Sequence, residues 1–502
     1  MKKITKFLFS IASTLLVASN AIALSSCGSK ETVSGITTGD VPVVAYNGEK
    51  VTITFYHCMG ASLRDILADG ITDFNKIYPN IKVLPNSYGD YPGVRDQIST
   101  ELASSRAPSL AYCYPDHVAL YNKSKAVLPL DAWIASTETA VGSNELMGMT
   151  AEQVADYNEL YWNEGKIYDD AGTMYTLPML KSTELLYYNK TYFDAHAEDG
   201  LKVPTTWDEM EEACEKIMEI EAAKEGGSKA NPCIPLGYDS GSNWFITMTE
   251  QLGSGYTTSE KGNYFVFNNE ENRAFVERFR GWYEKQYVTT EETFGSYTSD
   301  LFTQTDPAKT KCFMCIGSSA GAGYQCPDPL ADKSYPFEVG VAMIPQVETA
   351  EELEAAGKKP TMISQGPSIC LFKKQNAQEV AAAWLFAKYI TSNHKFLAKC
   401  SMNNGYTPAV LSIKNNDTYS KFLNRADNNQ YLQATAVNLT LEMKDYYFVS
   451  PAFNGSSAAR DAMADLLKNC FRQKPSGSQT ASAMIKELFD KAEKDLKRKY
   501  DK

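Results

Sequence analysis

The stretch Tyr175-Thr-Leu-Pro-Met-Leu-Lys-Ser-Thr-Glu-Leu-Leu-Tyr-Tyr-Asn-Lys190 joins two folded parts of the chain, and its interpretation decides the fold. Pro178 biases the residue before it toward an extended conformation, and the apolar run Leu185–Tyr188 favours a buried strand. Between them, Ser182 and Thr183 interrupt an otherwise apolar passage. This pattern fits surface irregularity, or it fits a crossing between two lobes that places both hydroxyls in the cleft.

The sequence on either side of this stretch supplies a folded body. At 502 residues the chain exceeds the size of one ordinary core. From Val51 to Asp131, strand-like and helix-like segments alternate, which predicts a largely parallel sheet flanked by helices. A second α/β body begins at Pro204, and Ile363–Phe372 has the character of a second crossing. We therefore predict an α/β protein with two lobes.

Aromatic and polar residues gather where the predicted strands end. Three such loops lie in the first body, at His57–Gly60, Asn86–Tyr91 and Tyr112–His117, and a fourth lies in the second body, at Asp239–Phe245. In parallel sheets, ligands bind beyond the carboxyl ends of the strands. A tyrosine offers a flat apolar face and a hydrogen-bonding tip. These loops therefore predict a ligand surface.

Charge and cysteine content exclude some functions. The net charge of −12 and the pI near 5.1 argue against a nucleic-acid-binding protein, which needs a basic face. Of the 11 cysteines, Cys312 and Cys315 form a CxxC pair, yet no second pair and no nearby histidines accompany it. We expect no metal site and no cofactor, and a few disulfides remain open.

The N-terminus has the pattern of an export signal. A basic start precedes the apolar segment 7–24, and Leu24-Ser-Ser-Cys-Gly28 resembles the lipobox of bacterial lipoproteins, whose cysteine carries the lipid. We predict a signal peptide over 1–26, lipidation at Cys27 and a flexible Gly/Ser/Thr-rich tether over 27–48. The alternative is an uncleaved membrane helix. Either interpretation places the body outside the cytoplasmic membrane.

Several short motifs stand in a fixed order between residues 51 and 412. They are Ile53-Thr-Phe-Tyr-His57, Tyr88-Gly-Asp-Tyr91, Ala107-Pro-Ser-Leu110, Ser124-Lys-Ala126, Leu177-Pro178, Leu186-Tyr-Tyr-Asn-Lys190, Pro204-Thr-Thr-Trp207, Cys312-Phe-Met314, Gly317-Ser-Ser319 and Gly405-Tyr-Thr-Pro408. Their order and spacing, behind a lipobox, resemble the extracellular solute-binding proteins of ABC importers, which include the maltose-binding and glycerol-3-phosphate-binding proteins.

This resemblance implies a type II periplasmic-binding-protein-like fold whose hinge-linked lobes close on a small solute. The N-terminal lobe would comprise 49–183 plus 364–412, and the C-terminal lobe 184–363 plus 413–502. It also implies a monomer that delivers its solute to a membrane permease served by a separate ATPase. The solute contacts carried over from the family's motifs are Tyr91, Tyr114, Asp116, Ser182, Thr183, Trp244, Phe245, Ser318, Ser319, Gly366 and Tyr406.

The sequence departs from the glycerol-3-phosphate-binding pattern at one place. The segment Ser450–Gly455 contains no arginine where that relative has one for its ligand. A neutral carbohydrate or related polyol is therefore the preferred solute, and a glycerophosphoryl compound is an alternative.

Two enzyme classes are further alternatives. Gly317–Gly321 matches the GxSxG pattern of serine hydrolases, but the only later histidine is His394, at the end of an amphipathic helix. A glycosidase would need two carboxylates across a cleft. No phosphate-binding GxxxxGK[ST] motif occurs, so we expect no ATP hydrolysis by this chain. A non-enzymatic receptor is the preferred interpretation.

Overall fold

The computed structural model describes residues 33–426 and 429–501, and its strands form two five-stranded sheets. The first sheet has the spatial order Ile81–Ser87, Val51–His57, Leu110–Cys113, Ser368–Leu371 and Thr176–Pro178. The second has the order Val339–Met343, Glu184–Asn189, Met314–Ser318, Leu236–Tyr238 and Val288–Thr290. We call the parts built on these sheets the N-terminal lobe and the C-terminal lobe. The predicted α/β, two-lobe fold is confirmed.

The first sheet is parallel where the chain enters it and antiparallel where the chain returns. Val51–His57 pairs in parallel with both of its neighbours, so the carboxyl ends of three strands meet at one edge. Ser368–Leu371 runs antiparallel to its two neighbours. Apolar side chains fill the faces of this sheet, because both sides are covered by helices.

The chain passes between the two sheets at two adjacent places. The first lies between Pro178 and Glu184, and the second between Ile363 and Ser368. The backbone groups of Ser182 and Gln365 exchange hydrogen bonds of 3.0 and 2.9 Å, which joins the crossings side by side. Two short ladders flank them, Leu180–Lys181 with Thr407–Pro408 and Met362–Ile363 with Tyr447–Phe448.

Helices cover both sheets, and their sequences explain where they form. Ala61–Ile77 buries Leu63, Leu67 and Phe74 at helical spacing. Trp207–Ala223 begins with a capping box formed by Thr206 and Glu209. The other helices that accompany the first sheet are Tyr91–Leu102, Pro115–Asn122, Asp131–Ile134, Ala151–Ala155, Glu159–Glu164, Ala377–Ser392 and His394–Asn404.

The remaining helices lie either between the two crossings or from residue 411 onward, and most of them belong to the C-terminal lobe. The α-helices are Lys190–Ala195, Gly227–Ala230, Gly241–Leu252, Glu270–Glu284, Glu291–Phe294, Ser299–Phe302, Ala350–Ala355, Asp417–Leu423, Leu432–Glu442, Ser456–Arg472 and Ala481–Tyr500. The 3₁₀ helices are Ser319–Gln325, Leu411–Asn415 and Asn429–Tyr431. Of these, Leu411–Asn415 bonds to Asp156 of the N-terminal lobe.

The segment 33–48, which composition predicted as part of a flexible tether, differs from that prediction. Ser34 donates to Glu379 from its backbone nitrogen (2.8 Å) and its hydroxyl (2.6 Å), and Ile36 forms a bridge with Lys374. Tyr46 is buried in the core. This segment therefore packs on the body because it contributes one large apolar ring and several backbone contacts. The predicted signal peptide and Cys27 lie outside the described residues.

The cysteines and the helices bear on two of the sequence predictions. The ten cysteines among residues 33–426 and 429–501 are all free thiols. Within the same ranges, none of the helices combines the length and the apolar character that a membrane span requires.

Candidate functional site

A narrow cavity lies between the two lobes, beside the crossings. Its empty volume is about 540 Å³ when its opening to solvent is included, but a water-sized sphere can occupy only about 40 Å³ of it. The N-terminal lobe contributes Tyr114, Pro115, Asp116 and Glu164; the second crossing contributes Ile363, Ser364 and Gln365; and the C-terminal lobe contributes Tyr256, Val449, Ser450, Pro451, Ser456 and Arg460. The lining combines aromatic faces, hydroxyls, two carboxylates and one guanidinium.

Three buried polar atoms on this lining have no hydrogen-bond partner among the described residues. They are the Asp116 carboxylate oxygen Oδ2, the Arg460 nitrogen Nε and the Tyr256 hydroxyl. Asp116 is 8% exposed and Tyr256 is 7% exposed, so bulk water reaches neither freely. Asp116 Oδ2 and Arg460 Nε are 3.6 Å apart, beyond ordinary hydrogen-bond length. A buried polar group without a partner is costly, so a polar ligand bound here would supply the partners that these atoms lack.

Arg460 connects the cavity to a buried carboxylate at the first crossing. Its Nη1 donates to Asn243 Oδ1 at 2.6 Å, and Asn243 Nδ2 donates to Glu184 at 3.2 Å. The Tyr238 hydroxyl donates to the other Glu184 oxygen at 2.7 Å. Burial raises the pKa of Glu184 to about 7, although these hydrogen bonds oppose the shift. Arg460 in the cavity is therefore linked through Asn243 to a carboxyl group whose pKa is about 7.

Two tyrosines form an aromatic wall on the N-terminal lobe. The rings of Tyr91 and Tyr114 are stacked, with centroids 4.1 Å apart and planes at 17°. Tyr91 opens the helix Tyr91–Leu102, and Tyr114 precedes the helix Pro115–Asn122, so both rings lie at the carboxyl edge of the parallel strands. Burial, and next the nearby Tyr406 phenol, raise the pKa of Tyr91. The structure thus brings the predicted residues Tyr91, Tyr114, Asp116 and Tyr406 into one region.

Glu164 is a cavity residue that sequence reasoning missed. One of its oxygens accepts from Lys181 Nζ at 2.6 Å, and the other accepts from the Ser364 hydroxyl at 3.0 Å. Both charged side chains are almost fully buried. The pair thus fixes helix Glu159–Glu164 against both crossings, and its carboxylate leaves less capacity for a solute than Asp116 does.

Four predicted site residues hold the crossings together and are absent from the cavity lining. The Thr183 hydroxyl donates to the Ile363 carbonyl at 2.8 Å, and the Thr183 nitrogen donates to Ser319 Oγ at 3.3 Å. Gly366 has φ +91°, and a Cβ there would stand 2.3 Å from the Leu180 carbonyl oxygen. Ser182 pairs with the other crossing through its backbone, as described above.

The serine-hydrolase arrangement does not assemble. Ser319 is fully buried and bonded to Thr183, and Ser318 accepts from the Ala320 nitrogen at 3.2 Å as a helix cap. The candidate base, His394, has its Nε2 2.9 Å from Ser412 Oγ instead. A nucleophile needs its base within hydrogen-bond reach. Here the hydroxyls of Ser318 and Ser319 accept hydrogen bonds from backbone nitrogens instead.

Trp244 and Phe245 lie in the core of the C-terminal lobe, away from the cavity. Both are fully buried on the helix Gly241–Leu252. Trp244 stacks on Tyr238 at 4.9 Å and on Phe279 at 4.1 Å, while Phe245 packs against other core rings. Neither ring lines the cavity.

Sequence reasoning also missed Arg460, Tyr256 and Asn243. Arg460 lies five residues beyond the segment Ser450–Gly455, on the first turns of helix Ser456–Arg472. Asn243 directly precedes Trp244, and helical phase turns its side chain to Arg460. A sequence signal for Arg460 was the spacing of Ser457, Arg460 and Asp461, which places these polar residues on one face of helix Ser456–Arg472. No group of three or more His, Cys, Asp and Glu suited to a metal occurs in 33–426 or 429–501.

The sequence of this chain matches one known protein family and several known proteins. A family described as bacterial extracellular solute-binding protein matches residues 70–469. A multiple sugar-binding protein of Streptococcus mutans is 30% identical over 181 residues, which cover 35% of this chain and 35% of that relative. The match therefore spans about a third of the relative's length.

Two solved structures share the fold. One is UgpB from Mycobacterium tuberculosis in complex with glycerophosphocholine, with a TM-score of 0.64 and 17% identity over 89% of this chain and 98% of that one. The other is the maltose/maltodextrin-binding domain MalE from Bdellovibrio bacteriovorus bound to maltotriose, with a TM-score of 0.64 and 17% identity over 89% of this chain and 100% of that one. At these identities the likeness concerns the fold.

Proposed function

The chain belongs to the family of bacterial extracellular solute-binding proteins, and from this membership we propose that it is the substrate-binding component of an ABC importer. Its solute is a carbohydrate or related polyol, captured in the cavity between the lobes. Closure of the lobes traps the solute, and a membrane permease with a separate ATPase receives it. The chain itself catalyses no reaction.

One observation carries this proposal. The cavity presents three unpartnered buried polar atoms, and they come from both lobes: Asp116 from one, and Tyr256 and Arg460 from the other. A carboxylate oxygen accepts, a guanidinium N–H donates, and a phenol does either. A polyol supplies the complementary donors and acceptors on adjacent carbons. Binding it would satisfy both lobes at once and favour the closed form.

The remaining lining suits a sugar ring. Tyr114, held by its stack on Tyr91, offers an aromatic face for the apolar side of a ring. Ser456 and Gln365 add hydrogen-bonding groups around it. A micromolar affinity corresponds to about −8 kcal/mol, which a few such contacts supply after the cost of closure.

A second candidate solute is a glycerophosphoryl compound, and Arg460 favours it. The absence of arginine from Ser450–Gly455 argued against a phosphate ligand, yet a guanidinium lines the cavity. Guanidinium groups suit phosphate oxygens geometrically and electrostatically. Against this candidate stands Asp116, whose carboxylate would repel a phosphate next to Arg460. The mycobacterial neighbour holds glycerophosphocholine, so the two solute classes need direct comparison.

The predicted location at the membrane surface is part of the same proposal. A lipid on Cys27 would anchor the body at the outer side of the cytoplasmic membrane, close to its permease. Detergent phase partitioning of wild-type protein and the Cys27→Ala variant from whole cells tests this. Wild-type protein should enter the detergent phase and the variant should not.

The binding proposal is tested by a panel of solutes. We expect maltotriose or another neutral sugar to raise the melting temperature of the purified protein, with an isothermal titration Kd in the micromolar range. Glycerol-3-phosphate and glycerophosphocholine form the second arm. Mass spectrometry of the recovered solute should show it unchanged; hydrolysis of a glycoside or ester would overturn the receptor.

Two variants tell the arms apart. Asp116→Asn should weaken a sugar, because the carboxylate is the strongest acceptor in the cavity, and should leave a phosphate ligand unchanged or tighter. Arg460→Gln should weaken a phosphate ligand most. A panel in which both variants bind every solute as the wild type does would exclude this cavity as the site.

A further inference from the structure

The first turns of helix Ser456–Arg472 present a charged face to the opposite lobe. Ser457, Arg460 and Asp461 are spaced i, i+3 and i+4, so they lie on one side of the helix. This helix packs on Gly241–Leu252 and Glu270–Glu284, within the C-terminal lobe. Its charged face meets helices of the N-terminal lobe.

A second cross-lobe ion pair lies on this face, with the opposite polarity to Arg460 and Asp116. Arg95, on the helix Tyr91–Leu102 of the N-terminal lobe, donates from Nη1 to Asp461 Oδ2 at 2.8 Å. The same Nη1 is 2.9 Å from the Ser457 hydroxyl. Neither Arg95 nor Asp461 lines the cavity. Two side chains that bond from opposite lobes can do so only while the lobes are close together.

We propose that Arg95 and Asp461 form a latch that holds the lobes closed over the solute without touching it. The proposal rests on the proposed function, since it concerns the closure that retains the solute. Arg95 and Asp461 are thus positioning residues, whereas Arg460 and Asp116 face the solute. The latch would set how long a solute stays bound and leave its selection to the cavity.

The surroundings of Arg95 suit this role. Its Nε donates to Asp96 Oδ1, on its own helix, at 2.8 Å, a contact that does not depend on the opposite lobe. The Arg95 side chain is 13% exposed and that of Asp461 is 52% exposed. The pair is therefore partly open to solvent and should be screened by salt. A latch of this kind is releasable, as delivery to a permease requires.

The test measures solute dissociation by stopped flow, using the sugar that the panel identifies. Arg95→Ala and Asp461→Ala should each raise the dissociation rate roughly 3- to 10-fold and change the association rate less than twofold. The double variant should match either single variant, because both remove the same interaction. Salt at about 0.5 M should erase most of the difference. Arg498→Ala is the matched control, since Arg498 pairs with Asp495 inside the helix Ala481–Tyr500 and spans no cleft.

A charge exchange gives the decisive readout. Arg95→Glu alone should raise the dissociation rate most, because two carboxylates then face each other, and adding Asp461→Arg should restore it to within threefold of wild type. A merely local structural role for either residue predicts no such rescue. Additive single effects without rescue would overturn the latch.

A measurement without solute separates failure of the latch from failure of the proposed function. Small-angle X-ray scattering of the solute-free protein should give a larger radius of gyration for Arg95→Glu than for wild type, and the exchanged variant should return to the wild-type value. If no panel solute binds, the proposed function fails while scattering still tests the latch. Equal radii for all three proteins, together with unchanged dissociation of any bound solute, would overturn the latch.

Discussion

Two aromatic regions of this molecule contain stacked rings at the same separation, yet they differ in purpose. In the C-terminal lobe, Trp244 and Phe279 stack at 4.1 Å inside a core where both are almost fully buried. At the cleft, Tyr91 and Tyr114 also stack at 4.1 Å, but both rings are partly exposed and border unpartnered polar atoms. Ring geometry alone therefore does not identify a binding surface. Exposure to the cavity does, since the core ring also carries a buried polar atom without a partner among the described residues, Trp244 Nε1.

The largest expected effect is the loss of the Trp244 ring, which should damage folding and not recognition. Trp244→Ala removes a fully buried side chain from between Tyr238 and Phe279, and should lower the free energy of unfolding by about 3 to 5 kcal/mol. Chemical denaturation measures this. Tyr297→Ala, at a ring that is 58% exposed, is the control and should change stability by less than about 0.5 kcal/mol. A stable Trp244→Ala protein that has lost only its solute affinity would erase the contrast between the regions.

The second effect concerns Arg460, whose guanidinium lines the cavity. Arg460→Gln should cost a phosphate-bearing solute about 1.5 to 3 kcal/mol, or 10- to 100-fold in Kd, because hydrogen bonds to a charged group are lost. A neutral sugar should lose less. Titration calorimetry of both solute classes measures the difference. Arg472→Gln, exposed at the end of the same helix, should leave both affinities unchanged.

The contrast between the regions also explains what sequence could and could not predict. The sheets and crossings were predictable, because Leu185–Tyr188 and Ile363–Phe372 each contain an uninterrupted apolar run. Such a run is typical of a strand that is buried on both faces. Asp116 and Tyr114 followed from their position after a strand. Trp244 met the same criterion, but the phase of its helix turns the ring inward and its neighbour Asn243 toward Arg460. Helix phase and the approach of residue 460 to residue 116, from distant parts of the chain, depend on packing that one sequence does not encode locally.

The third effect concerns Glu184, which lies between the two regions and bonds to Tyr238 on one side and Asn243 on the other. Burial raises its pKa from 4.5 to about 7, so the folded protein holds this proton more tightly than the unfolded chain. Its contribution to the free energy of unfolding is therefore full below pH 4.5 and is lost as the pH rises through 7. Glu184→Gln stays neutral and should remove roughly 1 to 2 kcal/mol of this decline.

Denaturation at pH 5 and pH 8 checks the Glu184 prediction. Relative to wild type, Glu184→Gln should gain stability on going from the lower to the higher pH. Glu212→Gln, at an exposed carboxylate on helix Trp207–Ala223, should show the wild-type dependence. Parallel curves for wild type and Glu184→Gln would mean that this carboxyl titrates as an ordinary solvent-exposed one.

The smallest effect tests whether the cleft stack acts as a rigid wall. Tyr91→Ala leaves Tyr114 without its ring partner and should weaken a sugar about fivefold, near 1 kcal/mol, because an unsupported ring loses orientation when the solute binds. Tyr91→Phe keeps the stacked ring and should stay within twofold of wild type. Stability should change far less than in Trp244→Ala, since Tyr91 is only half-buried. If Tyr91→Phe weakens binding as much as Tyr91→Ala, the hydroxyl and not the stacked face is what the solute recognises, and the cleft rings would then act as polar groups carried on aromatic supports.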